Sequence, residues 1–356
     1  MRTRSLTKAL ALAVAILVVG PAGAALACGG LVAPNGTVSL TRTTTLAAYH
    51  DGVEHYLTSF EYAGATAGDV GSIVPLPGVP TRVIKGGAWT LQRLEIEVQP
   101  PLFNAERAAA STALAAGDAQ VLLETTVDSL DITVLKGGAV AVGTWASDHG
   151  FFLPPDAPEV LDFYARRSPI FMAVKFNAER AAAQGITEGN GTPVDVVIPT
   201  TDPWVPLRIL TLGAQPDDRI EADVFLLTDG EPVTLPQAVK PNGDPDQTGL
   251  IRRVSEPASQ SLLDDLRSDK HMNWVPEDAW LTFIDVNVDA EDLIHDLAID
   301  ASGFGRPDPV AAGYEPADQP FDRPLLSTGL WAIVAAITLL LVLAEVERRR
   351  LHRPAV

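Results

Sequence analysis

The chain has one cysteine, Cys28, among its 356 residues. No intramolecular disulfide and no cysteine-based metal site can form, so an exported fold built from it relies on its core. An apolar fraction of 47% is ordinary for a globular protein and excludes a wholly disordered chain. A chain of this length fits one large domain or two modest ones, and such a domain buries about three quarters of its unfolded surface.

Acidic residues outnumber basic ones by 45 to 26, for a net charge of -19. Arg2, Arg4 and Lys8 lie at the start and Arg348, Arg349, Arg350 and Arg353 at the end, so the middle is more acidic still. Nucleic-acid affinity comes largely from neutralising phosphates, so no nucleic-acid partner is expected. Anionic lipid headgroups would be repelled as well. Otherwise the acidity keeps an exposed domain soluble.

The two ends read as topology. Arg2, Arg4 and Lys8 precede the apolar run 9–19, then Gly20-Pro21, then Ala25-Leu26-Ala27. These are the parts of a secretory signal peptide, expected over 1–27. Cleavage after Ala27 would leave Cys28 first, a possible lipidation site, although Ala25 and Leu26 stand in the reverse of the usual lipobox order. Near the other end, 325–344 carries no charge. At 1.5 Å per residue such a run matches a hydrocarbon core of about 30 Å. The arginines at 348–350 and 353 follow, which predicts a cytoplasmic tail over 345–356. Pro307, Pro309, Pro316, Pro320 and Pro324 mark 305–324 as a semi-stiff stalk. The expectation is an extracytoplasmic domain over 28–304, held at the cell membrane as a single-pass protein by a C-terminal transmembrane helix.

Within that domain, β-branched and aromatic runs predict strands over 37–49 and 53–62, separated by the hairpin turn Asp51-Gly52. Further strands are expected over 70–76, 194–198, 205–211 and 219–227. Helices are expected over 89–98, 139–149, 157–167, 259–270 and 291–297. Strands and helices do not alternate regularly, so the predicted class is α+β, mostly antiparallel sheet with several packed helices. Phe-Asn-Ala-Glu-Arg-Ala-Ala-Ala occurs twice, at 103–110 and 176–183. Asn104 and Asn177 can cap a helix, so both copies predict a strand end turning into a helix start.

Chemistry is sparse. Apart from Ser5-Leu6-Thr7-Lys8 inside the expected signal peptide, the chain holds no Ser-x-x-Lys, and it holds no Gly-x-Ser-x-Gly, phosphate loop, dinucleotide fingerprint or His-Glu-x-x-His. No cofactor is implied. His50 and His55 flank the hairpin turn on one face, with Glu54 beside them; two imidazoles about 7–8 Å apart could share zinc, but further ligands are missing. Asn242, Asp244 and Asp246 alternate in a glycine-containing loop, as calcium ligands do, without the bidentate glutamate such loops use. Asp285, Asn287 and Asp289 alternate in an expected strand and read as an acidic face.

Three segments resemble the bacterial domain of unknown function 2330 family. They are Cys28-Gly29-Gly30, Val70-Gly71-Ser72-Ile73-Val74-Pro75-Leu76-Pro77-Gly78-Val79-Pro80, and Trp204-Val205-Pro206-Leu207-Arg208-Ile209-Leu210-Thr211-Leu212-Gly213-Ala214. Leu153-Pro154-Pro155 through Phe171-Met172-Ala173-Val174-Lys175 fits the same pattern. In many members a second cysteine follows the Cys-Gly-Gly; here Leu31-Val32-Ala33 stand there. The resemblance implies export and an envelope location, and no activity. The expected function is therefore a non-catalytic binding or structural protein of the cell envelope, with an unidentified envelope protein or ligand as partner. The alternative is an extracytoplasmic hydrolase using carboxylate–histidine pairs such as Asp148 with His149 or Glu54 with His55.

Overall fold

The computed structural model describes residues 30–32, 43–60, 70–98, 119–185, 192–241 and 249–314. Within them the hairpin is where the sequence places it: β2 (Thr43–His50) and β3 (Val53–Phe60) pair in antiparallel register with His50 opposite Val53. Asp51 and Gly52 both have positive φ, 49° and 78°. That backbone matches the right-handed twist of the flanking strands.

The remaining strands are β1 (Gly30–Val32), β4 (Val70–Pro75), β5 (Arg82–Lys85), β6 (Gln120–Val127), β7 (Leu130–Lys136), β8 (Ile170–Phe176) and β9 (Thr192–Pro199). They continue as β10 (Trp204–Val205), β11 (Arg219–Thr228), β12 (Val233–Leu235), β13 (Leu250–Pro257), β14 (Trp280–Asp289) and β15 (Leu297–Asp300). Three sheets result, ordered β13-β14-β11-β2-β3-β9-β5, β1-β4-β8-β7-β6 and β10-β15-β12. Neighbouring strands run antiparallel except β2 and β11.

Five short helices accompany them among the described residues: α1 (Thr90–Val98), α2 (Ala139–Asp148), α3 (Ala157–Ala165), α4 (Ala178–Ala183) and α5 (Gln260–Ser268). In the seven-stranded sheet, Leu46, Ala48, Leu57, Phe225, Leu227 and Leu281 share one face. They pack under Leu91 and Leu94 of α1 and Leu262, Leu263 and Leu266 of α5. The opposite face, with Tyr56, Val196, Ile198, Val224 and Leu226, is buried too. A sheet covered on both sides reads as continuous apolar runs, as 224–227 of β11 do.

The helix positions depend on buried carboxylates. Asp269 accepts from the backbone amides of Ala88 and Trp89 at 3.1 and 2.9 Å and from Thr90 Oγ1 at 2.9 Å. It thus caps the N-terminus of α1, where amides lack intrahelical acceptors. A Cβ on Gly87 would lie 2.4 Å from Asp269 Oδ2, so only glycine admits the carboxylate this close. Ser259 caps α5 locally, accepting from Leu262 N at 3.1 Å.

Several expectations are corrected. The class is not α+β with several packed helices and a transmembrane helix; the fold is sheet-rich, its helices six to ten residues long. Among the described residues no helix is long and apolar enough to cross a membrane; segment 325–344, like 1–27 and 345–356, lies outside them. The weight shifts to sheet because 120–136 and 250–257, where sequence alone suggests no element, pair as β6, β7 and β13. Of residues 205–211 only Val205 belongs to a strand, and a 3-10 turn over Arg208–Thr211 follows, since Pro206 has no amide to donate. Residues 291–297 are not a helix: a 3-10 turn at Ala290–Asp292 leads to β15.

The compact unit runs to Gly313, past the expected start of the stalk at Gly305. Ala311 and Ala312 are buried. The carbonyl of Ala312 accepts from Asp296 N at 3.1 Å, and that of Ala311 from Arg167 Nη1 at 2.9 Å. A chain shortened to end at Phe304 is therefore expected to lose about 2–4 kcal/mol of stability relative to one ending at Tyr314. Parallel denaturant melts check this, and coincident midpoints would show that 305–314 contributes nothing.

Candidate functional site

The residues singled out by sequence are scattered. Asn242, Asp244, Asp246, Cys28 and the first copy of the repeated segment lie outside the described residues. The second copy does what its sequence predicts: Phe176 ends β8 and Asn177 caps α4, accepting from Arg180 N at 2.8 Å. Asp148 and His149 are exposed at the end of α2. The His149 ring stacks on Trp145 and its Nδ1 meets the Trp145 carbonyl at 2.7 Å, so it is committed to its own helix. Asp285 pairs with Arg253 at 2.6 Å, and Asp289 with Arg219 at 2.9 Å.

Around the hairpin, alternation along β3 sends Glu54 and His55 to opposite faces of the sheet, so they form no acid–base pair. His50 lies against Asp229 and Asp51; its hydrogen bond to Asp229, above all, raises its pKa. His55 is engaged elsewhere. Its Nδ1 lies 3.2 and 3.1 Å from the two carboxylate oxygens of Asp195, which is fully buried, and its ring stacks on Trp274 at 3.7 Å. A carboxylate on one ring nitrogen fixes the tautomer and orientation of an imidazole, leaving the other nitrogen available. Sequence reasoning missed Asp195 because Val194 and Val196 around it read as plain apolar strand. A lone acid inside such a run was the available signal. Among the described residues no three His, Cys, Asp or Glu side chains are grouped to hold a metal.

Glu54 itself is fully buried between Tyr49 and Ile198 on the neighbouring strands. Neither carboxylate oxygen reaches a hydrogen-bond donor; the Trp204 amide lowers the pKa slightly without closing a bond. Burial pushes the pKa up to about 8, so the side chain is largely neutral at pH 7. A carboxyl that holds its proton more tightly folded than unfolded costs stability as pH rises from its unfolded pKa, 4.5, toward 8. The cost reaches about 3 kcal/mol at pH 7. Glu54→Met is expected to be more stable than the parent by a margin that grows by a few kcal/mol, roughly 2–4, between pH 5 and pH 8. Urea melts at both pH values check this; a margin that does not change with pH would contradict the burial argument.

A different feature is displayed outward. Phe304 is 99% exposed at the tip of the turn after β15. Asp300 builds that turn: Oδ1 accepts from Ser302 N at 3.2 Å and Ser302 Oγ at 2.8 Å, and Oδ2 from Gly305 N at 2.6 Å. Gly303 has φ +72°, and a Cβ there would lie 2.4 Å from the Glu231 carbonyl oxygen. Val233, opposite Asp300 in register, is also 37% exposed. An aromatic ring held in water on a hydrogen-bonded turn is poised to dock, because no reordering of backbone is needed first.

Comparison with solved structures finds two of mutated baculovirus P35 after caspase cleavage. One has a TM-score of 0.36 at 8% identity, covering 74% of this chain and 98% of that one. The other has a TM-score of 0.33 at 7% identity, covering 74% and 95%. No curated protein sequence matches the chain. A family model described as an uncharacterized protein conserved in bacteria matches residues 21–299, and the chain belongs to that family, domain of unknown function 2330.

Proposed function

We propose that this bacterial domain is a non-catalytic binding module of the cell envelope, docking through the Phe304 turn. The observation that carries the reading is the fully exposed ring on a turn that Asp300 holds with three hydrogen bonds. Exposed single apolar residues are ordinary on protein surfaces. One fixed by a purpose-built turn, with a half-open valine opposite its base, is not explained by folding, since the ring buries nothing. The basic start, apolar run and small residues over 1–27 support export, and the strongly acidic composition supports an exposed domain.

The alternative hydrolase reading is favoured by one observation, the orientation of His55 by Asp195. Of its pairs, Glu54 and His55 lie on opposite faces of the sheet, and His149 is held by Trp145 of its own helix. Binding is therefore the better-supported reading.

A photoreactive phenylalanine analogue placed at position 304 tests the docking point in living cells. It is expected to give a discrete cross-linked species that the same analogue at Val140, 83% exposed on α2, does not give. Asp300→Ala should weaken that cross-link by loosening the turn while leaving the melting temperature within about 2 °C. Equal labelling at 304 and 140 would remove the Phe304 turn as a docking point.

A further inference from the structure

β6 is an edge of the five-stranded sheet. One side bonds β7 along the strand, and the other meets no strand among the described residues. Natural edges are blunted by shortness, lysine, proline, bulges or a covering segment. The other long edge, β13, is covered: Val239 N donates to the Leu250 carbonyl at 2.9 Å, and Arg252 N to the Val239 carbonyl at 2.7 Å. The β5 edge is four residues long. β6 has eight residues and no lysine, arginine, proline or glycine, and only Val127 in it is buried. Its one irregularity, the register shift between Val121 and Leu123, leaves 123–127 regular. Lys85 of β5 pairs with Asp128 in the following turn, which fixes the end of the strand.

We propose that the β6 edge accepts an extended, basic segment of a partner protein as a sixth strand. Leu123, Thr125 and Val127 lie on the same face as Leu130, Ile132 and Val134 of β7, all three buried. An added strand continues that face with apolar, preferably β-branched, side chains at alternate positions. On the other face Glu124 is exposed and opposite Thr133, with Thr126 opposite Asp131. Lysine or arginine at the intervening positions of the partner complements Glu124 and the net charge of -19. A second copy of this chain fits less well. It brings the same charge, and one strand against one strand covers far less than the roughly 800 Å² per partner that stable dimers bury. Main-chain hydrogen bonds to a flexible segment are the mode such an edge uses. This surface is separate from the Phe304 turn, so the two proposals stand or fall independently.

The test uses the full chain and a labelled peptide, Lys-Val-Lys-Val-Thr-Val-Lys-Val, with a second peptide carrying proline at its two central positions. Fluorescence anisotropy and amide hydrogen exchange over 120–127 are read together. The strand peptide is expected to bind and to slow exchange across β6, with the proline peptide about tenfold weaker or more. Glu124→Lys should weaken the strand peptide about fivefold or more without moving the melting temperature. Equal binding of both peptides, or saturation without protection of β6, overturns the proposal. Protection of β6 without peptide, accompanied by a dimer mass in solution, overturns it in favour of a second copy.

Discussion

The carboxylate of Asp296 gathers donors from parts of the chain far apart in sequence. Fully buried, it accepts at Oδ1 from Leu207 N at 2.7 Å, Arg208 N at 2.8 Å and Tyr164 OH at 2.9 Å. At Oδ2 it pairs with the Arg167 guanidinium. Tyr164 in turn accepts from Ile209 N at 2.7 Å. Three successive amides at the start of the Arg208–Thr211 turn are thereby satisfied by side chains from α3 and from the approach to β15. This is helix capping done at a distance, with separations of 89 residues to Leu207 and 132 to Tyr164. Burial lowers the Arg167 pKa to about 10, which still leaves it charged at neutral pH. The rings of Phe163, Tyr164 and Trp204 lie 4.3, 4.8 and 4.6 Å from its centre and replace part of the lost hydration.

A chain with one cysteine has no covalent staple between distant segments, and three buried aspartates take that role. Asp296 ties α3 to the start of the Arg208–Thr211 turn, Asp269 ties α1 to the end of α5, and Asp195 orients His55 under Trp274. Each is met by hydrogen-bonding groups from distant segments, as buried polar groups require. Glu54 has none, and burial holds it protonated at a cost that grows with pH. The contrast lies in the donors: four reach the Asp296 carboxylate and none reaches that of Glu54.

How much of this was legible in the sequence follows from the range of the interactions. The Asp51-Gly52 hairpin and the Asn177 cap are local, decided within a few residues, and their sequences announce them. The partners of Asp296, Asp269 and Asp195 are 88 to 181 residues away in the bonds described, beyond any spacing rule. What could be seen was only the anomaly: an acid within an apolar run at 195, and Pro206 inside an expected strand. The strands 120–127 and 130–136 were hidden by their weak alternation. Their membership in a sheet is decided by β8, which lies between them and β4. The Phe304 turn was invisible for the opposite reason, since Asp300, Ser302, Gly303 and Gly305 read as an ordinary loop until their bonds are counted.

The central claim is that Asp296 and Arg167 act as one unit in a network that the fold depends on. A double-mutant cycle measures it: Asp296→Ala, Arg167→Ala and the pair, each followed by urea unfolding. The account predicts that each single change costs about 3–5 kcal/mol, because the partner is left buried and unpaired. The double variant should fall short of the sum by about 2 kcal/mol or more. Single losses under about 1 kcal/mol, or strict additivity, would contradict it.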